Sequence, residues 1–137
     1  MNKDNLSRCV EHLCVKLPAI AIYLFGSQAS ETPIEWSDYD LAILYDDQTK
    51  LDPLYRYELQ EELSEILRSD VDLVFLNDAG PVIAMQIVTK GKLIYEDLNR
   101  KHDHNAFVMH LFSQYAEFKE LIAPMIRQIH ERWSEDR

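Results

Sequence analysis

The chain has 137 residues, 47% of them hydrophobic and 28% charged, a globular balance that excludes disordered, collagen-like and low-complexity architectures. At this length about two-thirds of the unfolded surface is buried on folding, enough for one core without disulfides or a structural metal, and a single domain over 1–137 is expected. Fourteen Lys and Arg against twenty-four Asp and Glu leave a net charge of −10; this argues against a direct grip on nucleic acid, which needs cations to displace counterions, and favours a basic protein partner or a polyanion carried by metal ions.

Leu6, Val10, Leu13 and Leu17 recur at helical spacing behind Asp4 or Asn5 as caps, which predicts a first helix over about 5–16, ended by Pro18. No apolar stretch of a secretory signal follows Met1, and no apolar run reaches the length of a membrane span. Cys9 and Cys14 are poorly spaced to share a helix face. Reduced thiols in a cytoplasmic protein are therefore expected.

Ala19 to Phe25 is a short apolar run that reads as a buried strand, stopped by Gly26-Ser27. Residues 28–37 are polar, contain Pro33 and predict a loop with one helical turn near Gln28–Ser30. A second strand is expected over about 39–45, a helix from Asp52-Pro53 to about Arg68, and a third strand over 71–76. A helix over 81–90 ends at Gly91, a residue favoured just past helix ends, and a last strand covers 92–95. From about 98 to 134 the pattern is helical, with Phe107, Leu111, Tyr115, Phe118, Ile122, Ile126, Ile129 and Trp133 along one face. Pro124 should kink or break that segment. The order predicts an α/β (α+β) fold, a small mixed sheet covered by helices, with its core over about 19–96 and a long C-terminal helical segment.

Gly26, directly after a buried strand, would let backbone amides approach a bound anion. Ten residues beyond Ser27, Asp38-Tyr39-Asp40 opens the second strand with two carboxylates on one side. Neighbouring carboxylates repel unless a cation joins them, and Mg²⁺ takes oxygen ligands while leaving positions for phosphate and water. If the first two strands are antiparallel and the next helix is a parallel crossover, the start of the third strand reaches the same sheet edge. That convergence is the wiring of a two-metal phosphoryl-type transfer site.

The third strand repeats the local pattern: Ser69-Asp70-Val71-Asp72 against Ser37-Asp38-Tyr39-Asp40. Locally either pair could hold metal, and only the upstream Gly26-Ser27 favours the first. Asp72 sits nearer the strand body than Asp70 and is taken as the third carboxylate.

Gly26-Ser27, ten residues and then Asp38-x-Asp40 resembles the signature of the minimal nucleotidyltransferases in the polymerase-β-like superfamily, over about residues 19–96. The resemblance implies ATP bound with two Mg²⁺: Ser27 and the Gly26 backbone on the β- and γ-phosphates, Asp38 and Asp40 on both metals, and Asp72 completing one metal site and helping to deprotonate an acceptor hydroxyl. The Arg-Gly usual in the loop after the Gly-Ser is missing; the corresponding stretch is Ala29-Ser30-Glu31, which removes a basic phosphate contact. Stand-alone size, acidity and a helical tail are similar to the antitoxin members of that family, which pair with HEPN-domain ribonuclease toxins. That implies AMP transfer to a tyrosine hydroxyl of the toxin, a hetero-oligomer with it, and no direct nucleic-acid or membrane contact.

Two other readings within reach are an antitoxin that acts by binding alone and a transferase acting on a small-molecule hydroxyl. Clustered carboxylates speak against the first, and the short chain leaves little room for the substrate domain of the second. An aspartyl-nucleophile phosphatase places Asp-x-Asp after a strand and Thr next, whereas here the pair precedes one and Ala42 follows two places on. His12, His102, His104, His110 and His130 read as surface or partly buried residues. The C-terminal apolar stripe is longer than a small sheet can cover, which leaves core packing and association both open.

Overall fold

A computed structural model describes residues 2–26, 38–48 and 51–135. Helix α1 spans Asn2–Lys16, with Asp4 in its first turn and Lys16 in its last, each placed where its charge offsets the helix dipole. It starts three residues before the expected boundary. Strands β1 (Ala19–Phe25) and β2 (Tyr39–Tyr45) follow, then α2 (Tyr55–Leu67), β3 (Val71–Phe75), α3 (Pro81–Lys90), β4 (Lys92–Glu96) and α4 (Lys101–Glu135). The expected loop turn near Gln28–Ser30 lies outside the described residues.

Helix α2 starts later than Asp52-Pro53 because those residues form a turn: the Asp52 carboxylate accepts from the Leu54 N–H and its carbonyl from the Tyr55 N–H. The third strand ends at Phe75, and Leu76–Asp78 tightens into a 3-10 turn. There the Asn77 side chain accepts from the Tyr45 N–H and donates to its carbonyl, tying the turn to β2.

The sheet order is β3-β2-β1-β4. Strands β1 and β2 pair antiparallel, β3 joins β2 in parallel across α2, and β4 pairs antiparallel with the other side of β1. One end of the sheet therefore collects the end of β1 and the beginnings of β2, β3 and β4. On one face, α1 and α2 pack Cys9, Leu13, Leu59 and Leu63 against Ile22, Leu41, Ile43 and Leu73. On the other, Ala84 and Ile87 of α3 and Leu111 of α4 cover Ala21, Tyr23, Ala42 and Leu44. Each fully buried Leu or Ile contributes about 1.5–3 kcal/mol of transfer free energy, so the two faces hold the sheet from both sides. The outer edge of β3 is closed by α2: Gln60 accepts from the Leu73 N–H and Arg56 donates to the Leu73 carbonyl, which blunts an open strand edge.

Helix α4 runs through Pro124 without the expected break. The proline removes the bond to the carbonyl four residues back, and here that carbonyl belongs to exposed Glu120, where water can satisfy it. The first half of α4 is anchored: Leu111 is 3% exposed and His104 5%, so His104 lies deeper than the sequence suggested. Its Nδ1 donates to the Glu96 carboxylate (2.5 Å), and its Nε2 meets the Tyr23 hydroxyl at 2.6 Å. Burial, and secondarily the Glu96 charge, push the Tyr23 hydroxyl up to about 12, so it stays a protonated donor. The second half exposes Leu121, Met125, Ile126, Ile129 and Trp133.

Candidate active site

The period-2 alternation of the strands decides which way the acidic side chains face. Tyr39, Leu41 and Ile43 of β2 and Val71, Leu73 and Phe75 of β3 all enter the core under α1 and α2. Asp40 and Asp72 fall at the intervening positions and so face the α3 and α4 side. The parallel register sets them directly opposite each other, on strands about 4.8 Å apart. Asp38 lies two residues before Asp40, exposed at the mouth of β2. Asp70 precedes β3, and it is its carbonyl that serves the sheet, accepting the Tyr39 N–H at 3.0 Å.

Asp40 is half-buried. Its carboxyl is held above the usual carboxylate range, first by burial and then by the negative charges of Asp72 and Asp38. Four acidic groups elsewhere have basic partners within the chain: Asp46 and Asp103 with Arg100, Glu62 with His12, Glu96 with His104. Among the described residues, no side-chain cation pairs with Asp38, Asp40 or Asp72. A half-buried carboxylate with two like-charged neighbours and no counter-ion of its own favours a cation from solution.

Gly26 closes the other side of Asp40. Phe25 pairs with Asp40 in the β1–β2 register, and Gly26 turns away at φ 74°. A Cβ on Gly26 would overlap the Asp40 carboxylate, lying 3.2 Å from its Cγ, so glycine is required both by the left-handed backbone and by the contact. Ser27 lies outside the described residues. Among those described, no three Asp, Glu, His or Cys side chains close around a single point. The donor set is an open row of carboxylates, which fits Mg²⁺ held by one or two carboxylates while water and substrate phosphates complete its shell.

A cavity of about 310 Å³ opens beside Gly26, lined also by Phe25, Ile83, Gln86, Ile87 and Lys90. The sequence singled out none of its α3 residues, and Gly91, which also lines it, was read only as a helix cap. Gly91 does cap α3, its N–H reaching the Ile87 carbonyl at 2.8 Å, but with φ −77°. What requires glycine there is crowding: a Cβ would strike the Ile87 carbonyl and lie 3.1 Å from that of Leu24. A second cavity of about 510 Å³, lined by Tyr45, Asn77 and Arg100 among others, lies at the opposite end of the sheet, away from the carboxylates.

The family model described as polymerase beta, nucleotidyltransferase matches residues 10–100. The protein adenylyltransferase MntA of Shewanella oneidensis is 36% identical over 116 residues, covering 84% of this chain and 80% of that protein. A crystal structure of a toxin–antitoxin with AMP-PNP is 31% identical, with a TM-score of 0.78, over 95% of this chain and 99% of that one. A structure of the tri-AMPylated Shewanella oneidensis HEPN toxin in complex with MNT antitoxin is 31% identical, with a TM-score of 0.77, over the same shares. The matched family segment holds the whole sheet and with it the open row of carboxylates, and the chain belongs to the polymerase beta nucleotidyltransferase family.

Proposed function

We propose that this chain is a protein adenylyltransferase acting as an antitoxin, which transfers AMP from ATP to a tyrosine hydroxyl of a HEPN-family ribonuclease toxin and so neutralises it. The names and bound groups of its near full-length relatives support this reading: an adenylyltransferase, an ATP analogue and an AMP-modified toxin. Within the chain the observation that carries it is Asp40, half-buried beside Asp72 and Gly26 and, among the described residues, with no cation paired to it.

Asp38 and Asp40 would hold two Mg²⁺, with Asp72 completing one site. When bound, the metal ions neutralise charge that develops on the α-phosphoryl group, a contribution of several kcal/mol. The Gly26 backbone and Ser27 would hold the β- and γ-phosphates, fixing the leaving side of the nucleotide. The tyrosine oxygen attacks the α-phosphorus in line. A new O–P bond forms as the bond to the bridging oxygen of the β-phosphate breaks; pyrophosphate leaves with that electron pair, and the phenolic proton passes to Asp72.

The net charge of −10 suits this task. An acidic enzyme is steered toward the basic surface that binds RNA, and an anionic ester added there repels RNA. We read 1–137 as one domain and place the reaction in the cytoplasm. Two free thiols fit a reducing compartment, and among the described residues no helix is long and apolar enough to cross a membrane. The test is to incubate the protein with Mg-ATP and its cognate toxin and to look by mass spectrometry for additions of AMP on a toxin tyrosine. Additions absent from the wild type, or retained when Asp38 and Asp40 are both replaced by Asn, would refute the reading.

A further inference from the structure

The carboxylates account for the metal end of a nucleotide and leave its far phosphates, which are the most highly charged part, without a protein cation. The loop stretch where the family usually carries Arg-Gly is here Ala29-Ser30-Glu31. The sheet edge supplies another source. In the order β3-β2-β1-β4, Asp72 and Asp40 stand on one side of the Gly26 bend, and the α3–β4 junction, Lys90-Gly91-Lys92, stands on the other. Strand β4 pairs with β1 through Leu24 and Lys92. The junction is therefore about two strand spacings, or about 10 Å, from β2. Across this edge the charge changes sign at the glycine.

The two lysines are not equivalent. Lys92 is in register with Leu24, whose side chain packs on the α1 and α2 face, so Lys92 belongs to the face away from Asp40. Lys90 instead lines the cavity that contains Gly26, one helical turn after Gln86, with Phe25, Ile83 and Ile87 as its apolar wall. Lys90 is exposed, and among the described residues its ammonium has no ion pair or hydrogen bond. Crowding of Gly91 between the carbonyls of Ile87 and Leu24 fixes the end of α3 against β1, so the position of Lys90 beside the bend is set by backbone.

We infer that Lys90, with Gln86 beside it, forms the subsite for the terminal phosphates of the nucleotide, supplying from α3 the cation that the loop lacks. The inference rests on the nucleotidyl-transfer reading above. A cation in the last turn of α3 also offsets the helix dipole, and that role would affect stability and not phosphate preference.

Titration calorimetry with the magnesium complex of α,β-methylene ATP, and separately with AMP, distinguishes the two. No acceptor is present, so failure of the toxin assignment would leave this measurement untouched. The wild type is expected to prefer the triphosphate. Lys90→Gln should bind it about tenfold more weakly, the loss expected for one charge-assisted contact, with AMP affinity unchanged and Lys90→Arg restoring most of the difference. Lys92→Gln, the same charge change on the other face, should leave both affinities within twofold. Equal losses in Lys90→Gln and Lys92→Gln, or an unaltered triphosphate affinity in Lys90→Gln, would overturn the inference. A wild type that binds neither nucleotide would overturn it together with the transferase reading.

Discussion

Asp38-Tyr39-Asp40 and Asp70-Val71-Asp72 open two neighbouring parallel strands with the same local pattern, and each puts its second carboxylate on the same sheet face. Their surroundings differ. Strand β2 is interior, flanked by β1 and β3, and Asp40 is enclosed by the Gly26 bend on one side and Asp72 on the other. Strand β3 is at the edge, and Asp72 is exposed. The same dipeptide spacing therefore yields a carboxyl lifted by burial and by two like charges in one strand and an open, water-facing carboxylate in the other. A motif supplies the carboxylates, and strand position decides how strongly burial and like charge act on each.

The largest effect should come from removing both charges of the interior strand. Asp38→Asn with Asp40→Asn should reduce AMP transfer at least about 10³-fold, the scale of losing electrostatic stabilisation at a reacting phosphoryl or acyl centre. The circular dichroism spectrum should be unchanged, and residual transfer of radiolabel from α-labelled ATP is the readout. The edge strand should then separate its own two residues: Asp72→Asn lowering transfer about 10²-fold, Asp70→Asn within about twofold. Equal losses at Asp70 and Asp72 would erase the distinction drawn from register.

Gly26→Ala tests the enclosure of Asp40. A side chain at positive φ is disfavoured by about 1–2 kcal/mol, and the clash with the carboxylate adds to it. Urea titration should show a loss of at least that size, and transfer should fall because the carboxylate must move.

The smallest effect is on pH dependence without metal. Asp40 has a folded value raised above the ordinary carboxylate near 3.9. The folded state therefore holds that proton more tightly, and the stability this contributes is complete below the unfolded value and lost as pH rises through the folded one. Because Asp40 is partly exposed, solvent screens the effect. Thermal melts in EDTA should show Asp40→Asn more stable than the wild type at pH 8 and indistinguishable from it at pH 3, while added Mg²⁺ should raise the midpoint of the wild type alone. A lower midpoint for Asp40→Asn at pH 8 would contradict the absence of a protein cation at this carboxylate.

Helix α4 carries the same lesson on a larger scale. Its apolar stripe reads as continuous from Phe107 to Trp133, yet Leu111 is buried and Trp133 is 69% exposed. The sheet has four strands and runs out of surface before the helix ends. His104 gave no signal in sequence because its partners, Tyr23 and Glu96, come from β1 and β4, and a polar residue on a helix reads as surface until its hydrogen-bond partners are in place.

The periodicities of 2 and 3.6, the cap and breaker residues, and the spacing from Gly26 to Asp38 and Asp40 were enough to determine the order and type of the described α-helices and strands and to single out Asp38, Asp40 and Asp72 as candidate donors. These are properties of short segments, set by backbone sterics and side-chain direction. Burial of Asp40, the placement of Asp72 directly opposite it, the anchoring of α4 through His104 and the arrival of Lys90 beside Gly26 were decided by tertiary structure alone. Each depends on which strand lies next to which and on how far the helices reach over the sheet, and those are energies of contacts between residues distant in the chain.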